Sequence, residues 1–231
     1  MMKQVMKSLV VVGAMLAAGS TVAMMDDIKP QIGIDYYQAW MKGTGHITPN
    51  ATSNIGVHGF TPRTYPGGTV YVGTRFMEYW GAELGYDTSG KKSNRASGAS
   101  TATNNTSIGA KVQRSGAHLD LLGYLALNEC SNAFLSLGAG WVKAKLSNVS
   151  YTTIPNAPVV ASTASKSKTV LRVGVGANYM LTEMVGARVK VGYETTSALR
   201  NTINIGNGIA AGSQKYFKDS TTFAAGLFAQ F

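Results

Sequence analysis

Cysteine, acidic residues and long apolar runs are all scarce in this chain of 231 residues. There is one cysteine, Cys130. A single thiol closes no internal disulfide and builds no cysteine metal cluster, so stability must come from the fold, and no metal or cofactor is expected. Cys130 lies in a turn-like stretch, Asn128-Glu129-Cys130-Ser131, and reads as an incidental thiol. Charged residues make up 14% of the chain, where about a quarter is usual in a soluble domain. Asp and Glu number 11 against 21 Lys and Arg, for a net charge of +10. No stretch reaches the ~20 consecutive apolar residues of a transmembrane helix. The run 9–18, broken only by Gly13, follows Lys3 and Lys7 and precedes the small residues Gly19-Ser20-Thr21-Val22-Ala23. That pattern marks an export signal cleaved after Ala23. The chain thus divides into a signal peptide, 1–23, and one exported domain, 24–231.

What is present instead is alternation. Eight segments carry it: QIGIDYYQAW (31–40), TVYVGTRF (69–76), WGAELGYD (80–87), HLDLLGYLAL (118–127), AFLSLGAGWV (133–142), VLRVGVGANY (170–179), VGARVKVGYE (185–194) and TTFAAGLFAQF (221–231). Their length suits a tilted strand crossing a bilayer, which takes ~9–11 residues. In the sixth segment Leu171, Val173, Val175, Ala177 and Tyr179 share one face, against Arg172, Gly174, Gly176 and Asn178. In the seventh, Val185, Ala187, Val189 and Val191 oppose Gly186, Arg188, Lys190 and Glu194. One face is apolar and the other small or charged, as lipid and lumen require. The first segment is less regular, because Gln38 shares a face with Ile34, Tyr36 and Trp40; a bulge or early exit from the bilayer is expected there.

Connections alternate in length. Those at 77–79, 128–132 and 180–184 are tight; those at 41–68, 88–117, 143–169 and 195–220 are long and polar. Loops that long are uncommon in a compact soluble domain. Short turns on one side and long loops on the other belong to outer-membrane barrels. Phe76, Trp80, Tyr179 and Phe231 flank the short turns, and Trp40, Tyr86, Trp141 and Tyr193 lie toward the long loops. These positions form two interfacial girdles. The expectation is an all-β fold: an eight-stranded antiparallel up-and-down transmembrane barrel with short periplasmic turns and long extracellular loops. Its last strand, ending on Phe231, pairs with the first, since lipid tolerates no free sheet edge.

The segments IGIDYY, EYWGAELGY, LDLLGYLAL and GVGANYML, with the final Phe231, resemble the OmpA-like and opacity-type family of eight-stranded outer-membrane surface proteins. Gly226 and Phe231 match that family's C-terminal assembly signal, while Ala229 stands where an aromatic is common. The resemblance implies a Gram-negative outer-membrane location and engagement by the barrel-assembly machinery. It covers the barrel alone, so no peptidoglycan-binding domain or wall anchoring is expected.

The predicted inward face carries Asp35, Arg75, Glu83, Asp120, Arg172, Arg188, Lys190 and Glu194, four acidic and four basic. Such balance points to a salt-bridge network. Arg75 and Glu83 flank the first turn diagonally and are the best candidate pair. Eight strands enclose room for side chains and little else, so the network reads as a structural plug, with a gated ion path as the alternative. The loops hold Lys91, Lys92, Arg95, Lys111 and Arg114, then Lys143, Lys145, Lys166 and Lys168. For an exported barrel the partners implied are outer-membrane lipid and lipopolysaccharide phosphates, or acidic host glycans and proteins, not nucleic acid; ordinary solvated charge is the alternative. Gly138-Ala139-Gly140 and Gly174-Val175-Gly176 lie within strands with no helix behind them, so they are not phosphate loops. His46, His58 and His118 could join a serine and an acid, but no spacing marks a nucleophile and no catalytic residue is assigned. The function expected is that of a structural or adhesin-like surface protein. A low-conductance porin-like channel is the alternative, and a lipid A acyl-modifying enzyme comes third.

Overall fold

The computed structural model describes residues 28–41, 46–47, 57–58, 63–76, 78–100, 104–153, 159–161, 164–195, 199–202, 213–216 and 219–231. The export signal, 1–23, lies outside the described residues. Eight strands form the wall: β1 (Ile28–Met41), β2 (Thr64–Phe76), β3 (Trp80–Ser89), β4 (Asn104–Asn128), β5 (Ser131–Thr153), β6 (Ala164–Met180), β7 (Val185–Thr195) and β8 (Ser220–Gln230). Each pairs antiparallel with the next. The circle closes where β1 meets β8, from Gln31↔Gln230 to Met41↔Ser220. The amide of Phe231 extends this seam by donating to the Pro30 carbonyl at 3.0 Å. Closure satisfies every strand's backbone groups within the wall, which the hydrocarbon core demands.

The period of two sorts side chains as the alternation predicts. Ile34, Val70, Leu119, Leu137, Val173 and Val189 project outward and are exposed, while Tyr37, Tyr71, Leu122, Phe134 and Phe228 are buried in the lumen. An exposed Leu or Val here is a lipid contact rather than a defect of packing. Inward glycines admit the larger rings: Gly33 opposes Tyr71 across the β1–β2 pair, and a Cβ added there would overlap that ring.

Three sequence expectations need correction. The irregularity foreseen in β1 is absent: its pairing is continuous on both sides, and Gln38 is accommodated by accepting a 2.8 Å hydrogen bond from the Tyr36 hydroxyl. Register shifts occur instead between β4 and β5, at Gly109/Lys111 and Ala126/Asn128. Much of the supposed loops at 88–117 and 143–169 is sheet. β4 runs for 25 residues and β5 for 23, and the strands Lys92–Ser100 and Val159–Ala161 pair with their outer ends. Beyond the bilayer the outward positions turn from Leu and Val to Lys and Ser, so the wall continues after its hydropathic signature stops. The stretches 41–68 and 195–220 are also partly ordered into sheet. They contribute His46–Ile47, Val57–His58, Leu199–Thr202 and Ser213–Tyr216 to a separate four-stranded sheet.

Candidate functional site

The alternation that sends leucines to lipid sends charged side chains to one level of the lumen. Glu83 on β3 accepts two hydrogen bonds from Arg188 on β7, one from Nη1 and one from Nη2, the latter at 3.1 Å. Asp35 on β1 lies 3.7 Å from Arg188 Nε. Lys190 Nζ donates to Asp120 Oδ2 at 2.6 Å. Arg172 on β6 donates to Glu194 at 2.6 Å and to Asp87 at 3.1 Å, and its Nε lies 3.4 Å from Asp120. Glu194 also accepts from Arg114 on β4 and from the Ser220 hydroxyl at 3.0 Å. Asp87 accepts from the Thr69 hydroxyl at 2.7 Å. His118 sits at the centre, with Nδ1 3.3 Å from Asp87 and Nε2 3.7 Å from Glu83 and 4.0 Å from Asp120.

Buried charges are tolerated only when paired and hydrogen-bonded. Here ten ion-pair contacts link five carboxylates to Arg114, His118, Arg172, Arg188 and Lys190. Aromatic faces add to the solvation, while Asp35 Oδ1 and Arg114 Nε and Nη1 have no hydrogen-bond partner among the described residues. The Arg188 guanidinium lies 4.3 Å from the Tyr71 ring centroid and 5.3 Å from that of Phe134, and Arg114 lies 5.2 Å from Tyr37. Glu83, His118 and Asp120 bring ligand atoms within 4.8 Å of one another, which is metal-like spacing. However, Arg188 and Lys190 already neutralise those carboxylates, so the donor set behaves as an ion-pair cluster.

Apolar side chains close the short-turn end of this layer and are interspersed with its charges toward the outside. Toward the short turns, Leu122, Tyr124 and Phe134 pack together, with the Tyr124 and Phe134 rings 5.9 Å apart. Toward the outside, Tyr65, Val112, Val142, Ala144 and Val170 are buried, with Arg114 in register with Ala144 and Lys168 with Val142. The cavity in this layer, lined by Asp35, Glu83, Asp87, His118, Arg172 and Arg188 among others, measures about 20 Å³. That is room for a water molecule, not a pore.

The family profile of the outer membrane protein β-barrel domain matches residues 9–231. The chain belongs to this family. Its place is the outer membrane, as its lipid-facing wall requires. Among solved structures it is similar to the outer membrane protein OprG from Pseudomonas aeruginosa, with a TM-score of 0.60 and 15% identity over 90% of this chain and 97% of that one. It is also similar to a major outer membrane protein from Thermus thermophilus, with a TM-score of 0.56 and 12% identity over 87% and 99% of the two chains. At such identities the likeness is one of fold. No curated protein matches the chain.

Seven of the eight residues expected in the lumen network are in it; Arg75 is not. The register sets Arg75 opposite Gly81 and Glu83 opposite Gly73. Arg75 turns to the periplasmic end, where Nε and Nη2 donate to the Glu78 carbonyl at 3.1 and 2.5 Å and the guanidinium lies 4.7 Å from the Tyr124 centroid. Glu83 is satisfied from across the lumen. Arg114, expected on a surface loop, is 1% exposed and belongs to the network. The network also includes Asp87 and His118, which were not among its expected members. Parity was the available signal: Arg114, His118 and Asp120 share one face of β4, and Asp87 shares the face of Glu83.

The other basic residues lie at the outer end, Lys91 between two strands and the rest on strands. Lys91, Lys92, Lys111, Lys143, Lys145 and Lys166 are exposed, and Lys168 is half-buried. Lys92 Nζ donates to the Thr64 hydroxyl at 2.7 Å. Arg95 falls in the strand Lys92–Ser100, with its side chain outside the described residues. Gly226 faces Asp35 across the seam, and Phe231 is 61% exposed at the rim.

Proposed function

We propose that this outer-membrane barrel is a non-catalytic surface protein, structural and adhesin-like, whose outer strands present basic residues to lipopolysaccharide or to host-surface glycans and proteins. The observation that carries the reading is the length of β4 and β5, 25 and 23 residues. A membrane crossing uses ~9–11 of these. The remainder makes a paired wall rising roughly 30 Å above the bilayer. A rigid projection of this kind suits contact with large partners. The packed lumen argues against the channel reading, since its paired charges leave only a water-sized cavity above the Leu122, Tyr124 and Phe134 cluster. His118 meets carboxylates inside the lumen rather than lipid, which argues against acyl chemistry. The proposal includes export on the 1–23 signal and assembly through the C-terminal Gly226 and Phe231.

The test is binding of cells that display the protein to immobilised anionic and neutral glycans. Replacing Lys91, Lys92 and Arg95 with Ser should leave the folded barrel intact, because polar outer positions contribute little to stability. Binding to anionic glycans should fall and lose its salt dependence. Unchanged binding at low ionic strength would reduce this cluster to solvated charge.

A further inference from the structure

Outside the lumen, acidic side chains gather at the periplasmic end, where Lys29 and Arg75 also lie, while Asp219 at the outer end is half-buried and accepts from the Thr195 hydroxyl at 3.1 Å. Among the described residues the exposed carboxylates are Glu78, Glu129 and Glu183, one in each periplasmic turn. At the other end, β4 and β5 carry Lys111, Lys143 and Lys145 on the outward face of the wall, alternating with the buried Val112, Val142 and Ala144. These lysines do not crown the barrel. Trp141, 68% exposed, lies two residues below Lys143 on the same face, and Leu137, 66% exposed, lies four residues below Trp141. The stripe is thus the upward continuation of the lipid-contacting wall.

Heights follow from strand geometry. With ~3.4 Å per residue and a tilt near 40°, Lys143 stands roughly 5 Å and Lys145 roughly 10 Å above Trp141. Tryptophan rings settle at the headgroup level. The polar layer is roughly 5–8 Å thick on each side of the hydrocarbon. Lys143 therefore lies within the outer headgroup layer and Lys145 at its upper edge. Lys143 is flanked in register by Ser115 and Ser167, and Lys145 by Gln113 and Ser165. Lys111 lies diagonal to Lys145, in register with Ser147 and so roughly 15 Å above Trp141; its long side chain, directed downward, is what reaches the edge of the headgroup layer. Diagonal neighbours are roughly 7–8 Å apart and next-but-one residues of a strand about the same. Flexible ammonium groups at that spacing can share a phosphate pairwise, Lys143 with Lys145 and Lys145 with Lys111, while Lys111 and Lys143 are roughly 14 Å apart. No carboxylate shares this outward patch among the described residues.

We propose that Lys111, Lys143 and Lys145 form a lateral seat for the phosphate groups of an outer-leaflet lipid, the lipid A portion of lipopolysaccharide. The inference rests on the surface-protein reading above and deepens it. It assigns one part of the basic residues to the protein's own membrane and leaves the rim residues for other partners. A soluble glycan could supply the same anionic chemistry. The lipid is favoured because its acyl chains would lie against Leu137 and Trp141, directly beneath the lysines.

The test titrates the full-length folded protein in micelles with fluorescent bisphosphorylated lipid A, with the same lipid stripped of phosphate, and with a soluble heparin fragment. The variants are K111S/K143S/K145S, the charge-keeping K111R/K143R/K145R, and K91S/K92S. A basic residue near an anionic surface contributes about fivefold in affinity, so the triple Ser variant should bind bisphosphorylated lipid A on the order of 100-fold more weakly at low salt. The gap should narrow at 0.5 M salt as screening shortens. The Arg variant and K91S/K92S should bind as wild type, and phosphate-free lipid should not distinguish the proteins. Unchanged affinity of the triple Ser variant for the bisphosphorylated lipid would overturn the proposal, as would equal loss for both lipids. Loss confined to heparin would also overturn the lipid seat, while leaving the surface-binding reading in place. Heat-modifiable gel mobility verifies folding; should the triple variant not fold, K145S alone should still show a loss of about fivefold.

Discussion

At the scale of single residues the lumen depends on which charges meet. Glu83 and Arg188 are both buried and joined by two hydrogen bonds. Removing one partner strands the other, which costs about 3–5 kcal/mol, whereas replacing both with apolar residues of similar volume can be close to neutral. Glu83→Gln and Arg188→Gln should each lower the urea midpoint of the barrel in lipid vesicles, and the doubly apolar Glu83→Leu/Arg188→Met should regain much of that loss. Equal midpoints for Glu83→Gln and wild type would remove the pair from the account. Arg75→Ala should cost only about 1 kcal/mol, the worth of an exposed hydrogen bond and a cation–π contact. A second prediction concerns Gly85, where an added Cβ would collide with the His118 ring. Gly85→Ala should cost about 1–3 kcal/mol by overpacking. The cost should shrink in a His118→Ala background, and an unchanged cost there would assign the effect to backbone strain instead.

At the scale of elements, β8 closes the wall on two sides, pairing with β1 and β7. Its outward set includes Leu227 and Phe231, and its inward set Thr222, Ala224 and Phe228. Inserting one residue before Phe223 exchanges the two faces from Phe223 onward, sending Leu227 inward and Phe228 outward. The expected outcome is loss of the heat-modifiable folded band and of protein in the outer-membrane fraction. Phe231→Lys is subtler, since a charge near the interface costs only ~0–1 kcal/mol in a finished barrel. A large fall in membrane-inserted protein would therefore point to assembly. Normal amounts of folded protein from both variants would sink the role of this segment as closing strand and signal. The membrane crossings were readable from alternation because one face must be apolar there. The outer halves of β4 and β5 were not, because Lys111, Ser115, Lys143 and Lys145 face water or headgroups and carry no hydropathic contrast with a loop.

For the whole molecule, ion flow is the property that separates a plug from a gate. The water-sized cavity is lined by the paired charges together with Tyr37, Thr69, Thr222 and Ala224, and Leu122, Tyr124 and Phe134 pack together toward the short turns. Planar-bilayer recordings of the wild-type barrel should show no discrete steps. Regular openings would restore the channel reading and require the ion pairs and the Leu122–Tyr124–Phe134 cluster to part.

The amino-acid sequence alone determined the number of crossings, the face each presents and the side on which the short turns lie. These properties are local: a period of two needs no partner, and the bilayer selects which face is apolar. It also placed Asp35, Glu83, Arg172, Arg188, Lys190 and Glu194 inward by the same parity. Only the tertiary structure decided who pairs with whom. Glu83 and Arg188 are 105 residues apart, and Arg114 and Glu194 are 80 apart. They meet because closure wraps strands distant in the chain around one narrow lumen. The hairpin neighbour Arg75, the natural choice from sequence, points along the axis away from Glu83 toward the Glu78 carbonyl. Proximity in the chain could not reveal that, since contacts across a barrel depend on where the circle closes and in which register.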